Sequence, residues 1–206
     1  MKIPLIVALL LTASLAQAAS LDDALAAYDE DKLKSAAKGF AAAAKRGEAL
    51  GQFNLAMMNL RRELPGATDA KAWHWLERAA AQKFALAENA LGEMIEQGRH
   101  GKPDARAACD WFERAAEHGN GDGALAIATC FYLGRGRPQD MAQAHRWYLD
   151  AAKAGDVGAQ YLVASMFETG LGVEADARLA RYWYDAAAKN GDVAAKAKIK
   201  ALDSAT

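Results

Sequence analysis

Ser35-Ala-Ala-Lys38 sets a hydroxyl one helical turn ahead of an amine. In an S-x-x-K pair the lysine can take the serine proton and make the hydroxyl a nucleophile, the chemistry of enzymes that open β-lactams. The companion signatures S-D-N and K-T-G occur nowhere in the chain. A two-residue match arises easily by chance, so Ser35 and Lys38 read first as solvated neighbours of Ala36. The alternative is a hydrolase of β-lactam or cell-wall peptide. His74, His100, His118 and His145 lack the H-E-x-x-H spacing, and the cysteines do not form C-x-x-C. That argues against a metal site, and no cofactor is implied.

These residues sit on elements that repeat. Trp75, Trp111, Trp147 and Trp183 are each 36 residues apart, with Gly39 in the same column one copy earlier. The next column holds Phe40, Leu76, Phe112, Tyr148 and Tyr184; alanine pairs such as Ala79-Ala80 and Ala115-Ala116 recur without a gap. Within one copy Ala72, Trp75, Leu76, Ala79 and Ala80 share one face of a helix, here helix A. Gly47, Gly119, Gly155 and Gly191 then stop it, with Lys83 in the second copy. A second apolar face follows, helix B, through Leu55, Leu91, Ile127, Val163 and Ile199, closed by Gly98, Gly134 and Gly170. Asp104, Asp140, Asp176 and Thr68 are placed to cap each following helix A. A pair of helices cannot hide both faces alone, so pairs must stack. The expected fold is all-α: a right-handed α/α superhelix of about five 36-residue helix-turn-helix repeats.

The ends differ from the repeat. Lys2, the apolar run from Ile3 and the small residues Ala16-Gln17-Ala18 read as a signal peptide over residues 1–18, cleaved after Ala18. Its apolar stretch falls short of the ~20 residues that span a bilayer. No later stretch is long or apolar enough to be a transmembrane segment, so a soluble periplasmic or secreted protein is expected. Residues 19–31 form a capping helix, with Ser20 as N-cap and Leu21, Ala24, Leu25 and Tyr28 on one face. Repeats then run over about 32–67, 68–103, 104–139, 140–175 and 176–203, and a 204–206 tail follows. The whole chain carries a net charge of −1, which argues against nucleic acid as a partner, since phosphates are held by clustered Lys and Arg.

Cys109 and Cys130 have their midpoint between Gly119 and Asn120, at an A-to-B turn. In an antiparallel pair both lie ~16 Å from the bend and face each other. A bridge is expected in an exported chain, where it stabilises by about 3 kcal/mol. A poor approach angle would instead leave two buried thiols.

The pattern A-x-x-W-[FYL]-x-x-A-A-x-x-G, a short turn, A-x-x-x-[LIV]-[GA], then Gly and Asp resembles the Sel-1-like repeat, a 36-residue relative of the tetratricopeptide repeat. The resemblance covers residue 32 to about 203. It departs at Gly39, at "RRELPGAT" and in the polar last helix, "AAKAKIKALDSAT". It implies a non-catalytic scaffold that binds a protein, peptide or glycan partner in its concave groove, in a bacterial envelope or host-contact process, with no shared catalytic residues. Secreted members often carry helix-to-helix disulfides, typically nearer the turn than these.

Binding must then rest on what the copies do not share. His74, Asp110, Arg146 and Tyr182 occupy one variable column of helix A, and Glu113 stands in a second. Trp73 is the tryptophan that the repeat does not require. Aromatic residues and arginine dominate binding hot spots, which marks these six as candidate partner-binding residues.

Overall fold

The computed structural model describes residues 21–204. The expected signal peptide of residues 1–18, with its expected cleavage after Ala18, Ser20 and the last two residues of the tail lie outside the described residues. Every regular element among them is a helix, and the fold is an all-α solenoid in which successive helices pack on one another. The chain divides into two compact units, one up to Ala87 and one from Glu88 onward.

The first unit contains α1 (21–29), α2 (Leu33–Arg46), α3 (Ala49–Leu60) and α4 (Asp69–Ala80). Ala24 of α1 is buried, and Leu21, Leu25 and Tyr28 pack beside it against Phe40, Leu55 and Met58, as the apolar face of the capping helix predicts. Tyr28 Oη donates to Glu63 Oε1 at 2.9 Å and accepts from Arg61 Nη1 at 2.5 Å, tying α1 to the loop that leaves α3.

The second unit takes in most of α5 (Ala85–Glu96), then α6 (Ala105–Glu117), α7 (Gly121–Leu133), α8 (Met141–Lys153), α9 (Val157–Thr169), α10 (Ala177–Lys189) and α11 (Val193–Ser204). The predicted caps are in place. Asp104, Asp140 and Asp176 accept backbone N–H groups at the starts of α6, α8 and α10, and Thr68 does so at α4. Asn120, Asp156 and Asp192 also cap α7, α9 and α11, a second column that the sequence reading passed over. Each cap is worth about 1 kcal/mol.

Small residues set the spacing between helices. A Cβ added at Gly51 would lie 2.5 Å from Ala43 Cβ, and one at Gly123 would lie 2.7 Å from Ala115 Cβ. Axes this close leave room only for Gly against Ala. Phe40, Leu76, Phe112, Tyr148 and Tyr184 fill the core beside them and are all buried. The tryptophan column does less than its periodicity suggests. Trp147 alone is buried; Trp75, Trp111 and Trp183 are half-buried. Arginines cover part of three of these rings: Arg78 over Trp75, Arg114 over Trp111 and Arg146 over Trp147, at 5.2, 4.8 and 4.5 Å from the ring centroids.

Gly119 has φ +87°, and Lys83, its counterpart in the second copy, is held at φ +61° with a Cβ that this region disfavours. Gly172, at φ +74°, is more constrained, because its Cβ would fall 2.1 Å from Met141 O.

Two patterns join neighbouring helices. The first links residues 30 apart, from the start of a helix B to the end of the next helix A. Gln82 Nε2 donates to Gln52 Oε1 at 2.8 Å, His118 Nδ1 lies 2.6 Å from Glu88 Oε2, and Asn190 Nδ2 donates to Gln160 Oε1 at 3.1 Å. The corresponding pair in the remaining copy is Ala124 and Ala154. The second pattern crosses a single hairpin. Cys109 faces Cys130, His145 stands edge-on to Phe167 at 4.8 Å, and Arg181 pairs with Asp203. Cys109, His145 and Arg181 are the same column, 36 residues apart.

Candidate functional site

Helix A presents its variable column to solvent. His74, Asp110 and Arg146 are exposed, and Tyr182 is 61% exposed. Each lies one residue ahead of the tryptophan column, about 100° around the helix, so the residue that follows faces the core while this one faces outward. Three of them also touch that tryptophan. His74 meets the Trp75 ring at 5.2 Å and Tyr182 meets Trp183 at 5.1 Å, both edge-to-face, while Arg146 lies over Trp147. They are therefore held in place by their own repeat rather than free in solvent. Trp73 is half-buried on α4.

Asp110 and Glu113 are brought together by a residue that the sequence reading missed. Arg137 Nη2 donates to Asp110 Oδ1 at 2.8 Å and to Glu113 Oε2 at 2.6 Å. Its guanidinium also lies 5.9 Å from the Phe131 ring centroid. The copies carry no arginine column at this place, so periodicity could not reveal it; the cue was an arginine in the loop leaving α7, beside Pro138. In the second unit Asp110, Glu113 and Arg137 thus form a charge-paired cluster, flanked by a hollow of about 550 Å³ that Arg106 also lines. Arg146 and Tyr182 are placed on α8 and α10.

Ser35 and Lys38 are both exposed on α2 and line the same shallow hollows. No hydrogen bond joins the serine hydroxyl to the lysine amine. The Cα atoms of Cys109 and Cys130 stand 6.3 Å apart, a separation that a disulfide spans, with the sulfurs turned to each other. Among the described residues no His, Cys, Asp and Glu side chains are grouped so as to hold a metal ion, and no described helix is long and apolar enough to cross a membrane.

The histidines differ in surroundings. His118 ends α6 against the buried Glu88, where a cation also suits the helix dipole. His145 is buried in α8, its Nε2 without a hydrogen-bond partner, and burial lowers its pKa below the ordinary value.

A family model, the Sel1 repeat, matches four consecutive segments, residues 49–84, 85–120, 122–156 and 157–192. Among solved structures the chain is similar to a Sel1 repeat protein from Oxalobacter formigenes, at 31% identity with a TM-score of 0.77, covering 87% of this chain and 75% of that one. It is also similar to c5321, a protective antigen of uropathogenic Escherichia coli with an SLR fold, at 26% identity with a TM-score of 0.81. That match covers 96% of this chain and 43% of the antigen. Cysteine rich protein B of Helicobacter pylori, at 23% identity with a TM-score of 0.51 over 62% of this chain and 92% of its own, shares the fold. No curated protein matches.

Proposed function

The chain belongs to the Sel1 repeat family, whose scaffold typically serves protein interaction, and from that premise we propose an exported, non-catalytic binding protein. Its partner is a protein, peptide or glycan in a bacterial envelope or host-contact process. One observation carries this reading: most residues that the copies share are turned inward, whereas the column in which they differ is solvent-facing, with His74, Arg146 and Tyr182 braced on tryptophan rings and Asp110 held by Arg137. Variation at rigid, exposed positions is what a recognition surface requires, because immobilised side chains lose little entropy on binding. In the first unit the contacting residues are Trp73 and His74. In the second they are Asp110, Glu113, Arg146 and Tyr182.

Export is supported by the signal-like sequence of residues 1–18 and by the facing cysteines, which would bridge in an oxidising compartment. Similarity to a bacterial protective antigen fits the same placement.

The test is crosslinking and affinity capture with the mature chain beside a variant altered at Trp73, His74, Arg146 and Tyr182, both checked for helical content. Partners captured by the first and lost by the second are expected. Survival of every partner would overturn the assignment of this surface. Turnover of a chromogenic β-lactam that disappears in Ser35→Ala would overturn the non-catalytic reading.

A further inference from the structure

A hollow of about 420 Å³ opens between α5, α6 and α7 in the second unit, on residues other than those assigned to partner binding above. Its floor is apolar: the Phe112 ring, Leu125 and Cys130. Three carboxylates line it, Glu93, Glu96 and Asp122, against a single cation, Arg135. Arg135 Nη2 is already engaged by Glu96 Oε1 at 3.3 Å. The balance of charge in the hollow is negative while its floor repels water, a combination that suits a ligand with a cationic head and an apolar stem.

The repeat shows that this composition is not a by-product of packing. The column of Glu93 elsewhere holds Met57, Thr129 and Ser165, and that of Asp122 holds Leu50, Leu86, Gly158 and Ala194. The fold thus needs no acid at either place. The column of Gly92 holds alanine in the neighbouring copies, at Ala56, Ala128 and Ala164. A Cβ at Gly92 would lie 2.5 Å from the Phe112 ring. Glycine therefore lets this ring settle against α5 and form the floor. Three departures from the repeat, two acidic and one small, converge on one hollow.

We propose that this hollow is a docking pocket for an arginine side chain presented by a protein or peptide partner, its stem on Phe112 and Leu125 and its guanidinium between Glu93 and Asp122. Arginine fits better than lysine because its planar head can be held by two carboxylates at once and can lie on an aromatic face. The carboxylates are also crowded before any ligand arrives. Burial of its carboxyl raises the Glu93 pKa above the ordinary value; the Asn89 amide, donating at 2.8 Å, opposes this, and the charges of Asp122 and Glu96 add to it. A guanidinium would relieve that repulsion.

Calorimetric titration of the mature chain with an end-blocked Leu-Arg-Leu peptide tests the proposal, with citrulline and lysine versions as controls. Citrulline keeps the shape of arginine and removes its charge. Binding of the arginine peptide is expected, weakened roughly tenfold or more by citrulline and by the double change Glu93→Gln with Asp122→Asn, which is about 1.4 kcal/mol or more. These two surface changes should leave the helical signal intact. Gly92→Ala, which displaces the ring without altering charge, is expected to weaken binding as well. The proposal is overturned by no binding up to millimolar peptide, by equal binding of the citrulline peptide, or by binding that survives the Glu93/Asp122 change. Lysine binding as tightly as arginine would overturn the choice of side chain. Loss of the captured partners in the helix A variant does not bear on these readouts, so the two readings can fail independently.

Discussion

His118 Nδ1 lies 2.6 Å from Glu88 Oε2, and the glutamate is only 3% exposed. A carboxylate so enclosed depends on its partner, because losing one member of a buried pair leaves the other desolvated and unsatisfied. His118→Ala is expected to lower stability by about 2 kcal/mol in urea denaturation. The double change Glu88→Ala with His118→Ala reproduces the Ala124 and Ala154 pair of the next copy, so it should be less damaging than the single one. A double variant weaker than His118→Ala would show that the pair contributes more than mutual satisfaction.

Lys83 is held at φ +61° where the other copies place glycine. Lys83→Gly removes the clash of Cβ with the backbone but frees the unfolded chain. The net expectation is a gain of about 0.5 kcal/mol, read as a higher midpoint in thermal unfolding followed by circular dichroism.

Gly172→Ala should do the opposite. Its Cβ would fall 2.1 Å from Met141 O at a φ of +74°, so both the turn and the start of α8 must shift. A loss of about 3 kcal/mol is expected in the same measurement.

Burial lowers the pKa of His145, so the unfolded chain takes up that proton before the folded one does. The contribution of this residue to stability is therefore complete above the ordinary imidazole value of about 6.5 and declines as the pH falls from there toward the folded pKa. Denaturation midpoints measured from pH 7 down to pH 5 should fall, and His145→Phe should flatten that part of the profile. A profile unchanged by the substitution would remove His145 from the account.

Joining Cys109 to Cys130 closes a loop of sequence separation 21 between α6 and α7. Protein recovered from an oxidising compartment should show an intact mass lower by two hydrogens than the dithiol form, and reduction should cost about 3 kcal/mol. Equal stability of the Cys130→Ser variant and the parent would mean that the hairpin holds without the bond.

Most of this architecture was legible because it repeats. A period of 36 exposes the buried columns, the glycine stops and the aspartate caps with no knowledge of contacts, and the amphipathic face of Leu21, Ala24, Leu25 and Tyr28 located the first helix. What escaped was whatever occurs once. Arg137 draws Asp110 and Glu113 together from a loop more than 20 residues away, and nothing in the other copies foreshadows it. The pairs 30 apart escaped for a related reason: their partners are Gln with Gln, Glu with His, Gln with Asn and Ala with Ala, so position recurs while chemistry does not. The tryptophans mislead in the opposite direction. Their strict spacing suggests interior packing, yet three stay half-buried, because an arginine or a neighbouring ring beside the indole serves where a core would.

The facing cysteine of Cys109, the ring contact of His145 and the ion pair of Arg181 occupy one position in three successive hairpins. Each answers to a different agent. A reductant acts on the first, acid on the second and, because exposed charges are screened, salt on the third. Amide exchange recorded under those three conditions would then show three separate hairpins loosening in turn, giving a molecule of near-identical parts a distinct chemical address for each.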